Sequence, residues 1–251
     1  MKYFVLALAF SCGLFFTSRA TAAFGPDIDP KPVFEENFDK IDSTVWEVAG
    51  WVEESKTSPA RCTVSNGMLN MIFKYDSASK SNLGSALQTR QTFLYGRWEY
   101  RAKPSDVKGV LNSFYTIDWG DKGKGTRQEI DIEFLTFQFG KGSGRVHCAV
   151  HAAGKKSFDT HPDAPLSFNP SEDFHIYGFE VTPEKIEWFA DKKVICSYTY
   201  SGNDIKIDAP YMLKMNFWSN KNWIKGPPPG DVECVYQIDW IKFYPYIGNK
   251  K

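Results

Sequence analysis

The sequence predicts an all-β protein built as a two-layer sandwich. Short runs rich in β-branched and aromatic residues recur along the chain, with turn residues between them. Convincing helical periodicity is absent from the sequence. From Gln128 to Phe134, acids alternate with large apolar residues, which is typical of a strand with one buried face. Many short strands at this spacing favour a sandwich.

Strands are predicted where such a run lies between two turns. The first pair flanks Asn66-Gly67, and later turns are expected at Pro183-Glu184 and Asp191-Lys192. The remaining strand predictions, in chain order, cover residues 96–102, 111–117, 128–134, 145–152, 174–181, 185–190, 193–200, 211–218 and 235–244. No repeat or linker divides the chain, so one domain is expected over 33–247, after an extended Pro-rich lead-in at 23–32.

The N-terminus has the pattern of a secretory signal peptide. Lys2 precedes an apolar run over residues 3–16, and Ala20-Thr21-Ala22 is a small-residue cleavage site. We therefore expect residues 1–22 to be removed and the protein to be secreted or periplasmic, with no membrane attachment after cleavage. The apolar run is too short to span a bilayer. The formal net charge is zero, which argues against a nucleic-acid partner.

Four cysteines remain after the expected cleavage, namely Cys62, Cys148, Cys196 and Cys234. In an oxidising compartment they allow one or two disulfides, with three ways to pair all four. Four buried thiols are the alternative, because a free cysteine packs as a small hydrophobe. Their spacing matches no zinc-binding pattern.

Three acids, Glu129, Asp131 and Glu133, are expected on one face of the strand over 128–134. A solvated acidic face on an edge strand is one interpretation. Clustered carboxylates repel one another, however, so the cluster costs stability unless it has a purpose. A retaining glycosidase needs such a pair of acids, with their carboxyl groups about 5–5.5 Å apart.

The chain resembles glycoside hydrolase family 16, which includes lichenases, laminarinases, xyloglucan-modifying enzymes, agarases and carrageenases. The resemblance rests on blocks that occur in the family's order, namely Phe93–Glu99, Glu129–Leu135, Phe174–Glu180, Ile186–Asp191, Met215–Trp218 and Asp239–Lys242. It implies a β-jelly-roll sandwich of the concanavalin A-like kind, with a concave sheet that holds the substrate cleft.

The resemblance also implies catalytic roles. Glu129 matches the nucleophile and Glu133 the general acid/base, and Asp131 lies between them on the same face. The acid must stay protonated near neutral pH, so its pKa has to be raised by burial or by a nearby negative charge. No cofactor is required for this chemistry.

Substrate-binding residues follow from the same resemblance. Trp218 and Trp223 match tryptophans that stack on sugar rings, and a core position is the alternative for each. Strand alternation puts only one of Phe114 and Tyr115 in the cleft, and the resemblance favours Tyr115. The remaining members of the predicted binding set are Asn216, Arg127 and His151.

Some of these residues allow a second interpretation. His151 matches a family histidine near the acid/base, or it is a polar residue without a role. Arg127 binds a charged group on the substrate, or it pairs with a nearby acid. His147 is a weaker candidate than His151, and the other two histidines, His161 and His175, are expected to be structural or exposed.

The chain departs from the lichenase pattern in two places. Lichenases carry a Glu-x-Arg pair where this chain has Ala86 and Gln88, and Trp-Asp where it has Arg127-Gln128. The catalytic motif nevertheless lacks the extra residue common in enzymes that cut β-1,3-glucan. A calcium site is common in the family, and Gly67 and Asp239 match its ligands; such an ion would be structural.

These observations predict a secreted, monomeric, retaining endo-β-glycosidase that hydrolyses 1,3-1,4- or 1,3-linked β-glucan. A transglycosylase acting on β-glucan has the same acids and is the first alternative. A galactan hydrolase of the agarase or carrageenase kind is the second. A carbohydrate-binding lectin is disfavoured, because lectin-like relatives usually lose one of the acids and this chain has all three.

Overall fold

The computed structural model describes residues 25–48, 55–118, 128–202 and 205–248. Within them the regular elements, apart from turns and loops, are short 3₁₀ helices at Pro59–Arg61 and Thr136–Gln138 and seventeen strands. The strands are β1 (Phe34–Glu36), β2 (Trp46–Val48), β3 (Lys56–Thr57), β4 (Cys62–Ser65), β5 (Met68–Asp76), β6 (Ser81–Thr89), β7 (Gly96–Lys103), β8 (Leu111–Asp118), β9 (Gln128–Leu135), β10 (Gly144–Ala152), β11 (Phe158–Asp159), β12 (Ala164–Leu166), β13 (His175–Val181), β14 (Lys185–Ala190), β15 (Lys193–Thr199), β16 (Met212–Trp218) and β17 (Val232–Pro245).

The strands form two layers that are joined into one nearly closed, almost wholly antiparallel sheet. One layer runs β2-β6-β16-β8-β9-β10-β11. The other runs β4-β5-β17-β7-β13-β14-β15, with β1 also on β17. The hairpin from β5 to β6 connects the layers. The predicted all-β sandwich is confirmed.

The core lies between the layers and is largely aromatic. Ile130, Ile132 and Phe134 point into it and are almost fully buried, as the alternation along their strand predicts. Phe114 also belongs to the core, where its ring stacks on Tyr100 with the centroids 3.8 Å apart. Burial of these large side chains is the main stabilising contribution to the sandwich.

Each strand predicted from the residue pattern is present, but that pattern missed several others. The most important omission is β6, which reads Ser-Asn-Leu-Gly-Ser-Ala-Leu-Gln-Thr. Its small and polar residues have weak β propensity, so nothing local marks it as a strand. It forms because β16 and β2 supply its hydrogen-bond partners.

The structure has free thiols at Cys62, Cys148, Cys196 and Cys234; three of them are buried, as the alternative without disulfides expects, and Cys196 is partly buried. Burial raises the pKa of the Cys62 thiol to about 12, which makes it unreactive near neutral pH. The signal-peptide prediction concerns residues outside the described part of the chain. In the described part, no helix is both long and apolar enough to cross a membrane.

Candidate active site

Strand β9 lies between β8 and β10, and this register fixes the neighbours of each acid. Glu129 is flanked by Ile117 and His151. Asp131 is flanked by Tyr115 and Ala149, and Glu133 by Ser113 and His147. The three acids share the face of β9 that is opposite the core, so they project together from the middle of one layer.

Contacts from elsewhere in the fold hold this strand in position. Trp188, on β14 in the other layer, donates its indole N–H to the Asp131 carbonyl at 2.9 Å. At the start of the strand, the Gln128 carboxamide donates to the Asp208 carboxylate at 3.0 Å and accepts from the backbone N–H of Asp208. The backbone that carries the acids is therefore anchored both at its beginning and at its centre.

The acids open into a cavity of about 470 Å³. Eight of the nine predicted catalytic and substrate-binding residues line it, namely Tyr115, Glu129, Asp131, Glu133, His151, Asn216, Trp218 and Trp223. The ninth, Arg127, lies outside the described residues. Three further residues complete the lining, Ile117, His147 and Asp159.

Asp131 is the most buried of the three acids, with 2% of its surface exposed. Its Oδ2 lies 3.3 Å from Nε2 of His151. Nδ1 of the same histidine lies 2.6 Å from the Ser157 hydroxyl. His151 therefore contacts the central acid of the cluster, which favours the interpretation in which this histidine has a role in the site.

Glu133 has the electrostatic environment of a general acid. Burial raises its pKa well above the ordinary value, and the carboxylates of Asp131, Glu129 and Asp163 raise it further. An elevated pKa keeps this carboxyl protonated near neutral pH, where it can donate a proton.

Asp131→Asn is expected to move the alkaline limb of kcat/KM to lower pH. The substitution removes the neighbouring charge that raises the pKa of Glu133 most, so the ionised form of Glu133 becomes less unfavourable and its pKa falls. A larger fraction of Glu133 is then ionised at any given pH, so the protonated form that donates the proton disappears at a lower pH. Activity against pH measures the shift, with exposed Asp173→Asn as the control. An alkaline limb of kcat/KM that stays at the wild-type pH would contradict the coupling between Asp131 and Glu133.

The wall of the cavity beside the acids is polar and ordered by hydrogen bonds. The Ser113 hydroxyl contacts the Asn216 side-chain oxygen. The Asn216 amide in turn donates to the Tyr115 hydroxyl at 3.4 Å. Trp218 is partly buried at the end of β16, whereas Trp223 is 37% exposed. Trp223 therefore offers its ring to solvent, as a sugar-stacking residue requires.

A second cavity of about 540 Å³ adjoins the first at the end nearer Glu133, and both are lined by His147 and Trp223. The other residues that line it are Leu135, Phe137, Gln138, Arg145, His161, Pro162 and Asp163. The cleft therefore continues beyond the acids, which suits a chain-like ligand better than a small one.

Sequence reasoning gave His147 too little weight. It shares a strand face with His151, and that periodicity was the available signal. Asp159 left no such signal, because β11 is only two residues long and is fixed by pairing with β10. Of the remaining histidines, His161 is exposed, and His175 pairs with Asp191 at 2.6 Å, stacked on Phe168.

The two predicted calcium ligands, Asp239 and Gly67, have different surroundings in the structure. The Asp239 carboxylate accepts a hydrogen bond from the Arg101 guanidinium at 2.6 Å, so a calcium ion would have to share it with a fixed cation. Gly67 lies in an exposed turn at φ +66°. No cluster of three or more His, Cys, Asp or Glu residues suited to a metal occurs in the described ranges.

We expect removal of calcium to leave the melting temperature unchanged, because Arg101 already neutralises Asp239. Thermal unfolding in EDTA and in added calcium tests this expectation. A melting temperature that rises with calcium concentration would show that the ion binds the folded state and that the ligand prediction from the resemblance holds.

Three carboxylates on one strand, in an elongated cleft with an exposed tryptophan, are the arrangement of a glycoside hydrolase. The chain belongs to the glycosyl hydrolases family 16, whose family model matches residues 53–242.

Individual relatives agree with this assignment. A beta-glucanase of Acetivibrio thermocellus is 30% identical over 217 residues, which are 83% of this chain and 61% of that protein. The chain thus spans less than two thirds of that relative's length. A beta-glucanase of Brevibacillus brevis is 29% identical over 226 residues, 84% of this chain and 82% of the relative.

Similar solved structures confirm the predicted β-jelly-roll sandwich. A beta-1,3-1,4-glucanase (lichenase) derived from a mouse hindgut metagenome superposes with a TM-score of 0.68 at 30% identity, covering 84% of this chain and 97% of the other. The laminarinase catalytic domain from Thermotoga maritima gives 0.73 at 22% identity, covering 87% and 98%. The second likeness bears on the fold alone.

Proposed function

We propose that the protein is an exported endo-β-glucanase that hydrolyses 1,3-1,4- or 1,3-linked β-glucan by double displacement. The observation that carries the proposal is the placement of Glu129, Asp131 and Glu133 in one cleft with Trp218 and Trp223. Relatives of similar length that are named beta-glucanases, and the lichenase structure, support β-glucan as the substrate.

In the first step, the Glu129 carboxylate attacks the anomeric carbon while Glu133 gives its proton to the departing glycosidic oxygen. In the second step, Glu133 takes a proton from water, and the resulting oxygen nucleophile displaces Glu129 from the sugar. The raised pKa of Glu133 suits the first step, because the acid has to be protonated when the substrate arrives.

The choice of linkage depends on positions where the chain differs from lichenases. Ala86 is fully buried, and the Gln88 amide donates a hydrogen bond to the Glu47 carboxylate at 2.7 Å. Neither residue reproduces the charged Glu-x-Arg pair at those positions. The uninterrupted catalytic motif still favours a 1,3-1,4-glucan over a purely 1,3-linked one.

Product analysis on a panel of polysaccharides tests the proposal. Barley mixed-linkage glucan, lichenan, laminarin, xyloglucan, agarose and carrageenan are each incubated with the protein, and the products are separated by size. Short oligosaccharides from barley glucan are the expected result. Cleavage of a galactan without cleavage of any glucan would contradict the assignment of β-glucan as the substrate. Products longer than the starting chains would indicate that the protein transfers glucan instead of hydrolysing it.

Export is proposed on the N-terminal pattern, with the protein acting in the periplasm or outside the cell. A monomer is proposed as the default state of a chain whose described cleft residues all come from one copy. N-terminal sequencing of the protein from culture medium or periplasm tests the first of these, with cleavage expected after Ala22.

A further inference from the structure

A chain of hydrogen bonds reaches the cleft on the side of Glu133. Nδ1 of His147 lies 2.8 Å from Oδ1 of Asp163. The other carboxylate oxygen of Asp163 accepts from the Gln138 amide at 2.7 Å, and the Asp163 carbonyl accepts from the Arg145 guanidinium at 2.6 Å. Asp163 is therefore held from three directions, and His147 is the member of the chain that lines the cleft.

Asp163 decides which nitrogen of the imidazole carries the proton. Burial raises its pKa, but the hydrogen bonds from His147 and Gln138 outweigh burial and leave the pKa below the ordinary value. An ionised carboxylate only accepts hydrogen bonds, so Nδ1 of His147 must carry a hydrogen. In the neutral ring Nε2 is then an acceptor. The edge-on contact with Trp223, at 5.6 Å and 76°, fixes the plane of the ring.

His147 is also placed where it meets the departing part of the substrate. It is the cross-strand neighbour of Glu133, and directly opposite side chains lie about 5 Å apart. Glu133 has to touch the oxygen that leaves, so His147 lies beside the sugar attached to that oxygen. The ring lines both cavities and therefore lies at their junction.

We propose that His147, oriented by Asp163, accepts a hydrogen bond from a hydroxyl of the sugar on the leaving-group side and so helps to determine specificity there. The inference rests on the proposed function. It assigns the ligand chemistry of the second cavity: a sugar with a hydroxyl donor at this position, bound beside the imidazole and the Trp223 ring.

Two substrates with the same glucan portion test the proposal. One is a β-glucan oligosaccharide whose leaving group is a sugar, and the other is a 4-nitrophenyl glycoside whose leaving group has no hydroxyl donor. His147→Ala is expected to lower kcat/KM for the oligosaccharide about tenfold, the scale of one lost hydrogen bond. The aryl glycoside is expected to lose much less, because its leaving group has no hydroxyl to donate to the imidazole.

Further variants separate the proposed contact from a structural role. Asp163→Asn can donate to Nδ1, which would place the hydrogen on Nε2, so it is expected to show the same selective loss. His147→Gln keeps an acceptor oxygen and is expected to recover part of the activity. His175→Ala is the matched control, because that histidine has a similar carboxylate partner, Asp191, remote from the cleft. Melting temperatures of all variants exclude unfolding.

The outcomes distinguish this inference from the function on which it rests. Equal losses on both substrates in His147→Ala, or no loss on the oligosaccharide, would overturn the inference and leave the proposed function intact. A wild-type protein that cleaves neither substrate would overturn the proposed function and the inference together.

Discussion

Glu129→Ala is expected to lower kcat on β-glucan by about 10⁵-fold, the scale of loss when a covalent nucleophile is removed. The fold should persist, because the substitution relieves repulsion from neighbouring carboxylates on β9. Initial rates on barley glucan and a melting curve measure the two effects. Exposed Glu233→Gln, on β17 in the other layer, is the control and should retain full activity.

Azide gives this variant a second readout. The anion is small enough to enter the space left by the Glu129 side chain and can form a bond to the anomeric carbon while Glu133 protonates the leaving oxygen. The product is then a glycosyl azide of inverted configuration, which NMR identifies. A glycosyl azide that retains the substrate's configuration would identify Glu129 as the acid/base instead, and wild-type turnover without azide would remove it from the chemistry.

Glu133→Gln is expected to lower kcat on β-glucan by about 10³–10⁴-fold, near the upper range for general acid–base catalysis. Glutamine keeps the shape of the side chain but has no acidic proton to give. With a 4-nitrophenyl glycoside the rate of the first step should fall much less, because nitrophenolate leaves without protonation. The contrast between the two substrates is measured by initial rates and by the burst of nitrophenol.

The second step supplies the check on this variant. Without a base to activate water, the glycosyl–Glu129 ester should accumulate, and mass spectrometry of the intact protein would detect the added sugar mass. Losses of similar size on both substrates, with no accumulated ester, would contradict the assignment of Glu133 as the acid/base. Glu233→Gln again serves as the control.

The local residue pattern was enough to predict the strand that bears the catalytic acids. Alternation of acids with Ile130, Ile132 and Phe134 has a period of two, and that period separates the two faces of a strand without further information. Alternation also showed that only one of Phe114 and Tyr115 can face the cleft, and the family resemblance chose Tyr115; Phe114 is in the core and Tyr115 lines the cleft. The separation of the two faces held because it depends only on neighbours along the chain.

Local pattern failed where pairing partners are distant in sequence. The residues of β6 have little preference for a strand, and its place between β2 and β16 depends on segments about 40 residues before it and more than 120 after it. Asp159 reaches the cleft for the same reason, through pairing of a two-residue strand with β10.

Residue order was enough to predict the all-β class and the face that bears Glu129, Asp131 and Glu133, and the family resemblance predicted most of the residues around them. The environment of those residues depends on the tertiary structure. The raised pKa of Glu133 requires burial and charges from two segments, the orientation of His147 requires Asp163 on a separate segment, and the ion pair of Asp239 requires Arg101 on another strand. Burial and electrostatic interactions depend on distances in space, which residue order alone does not set.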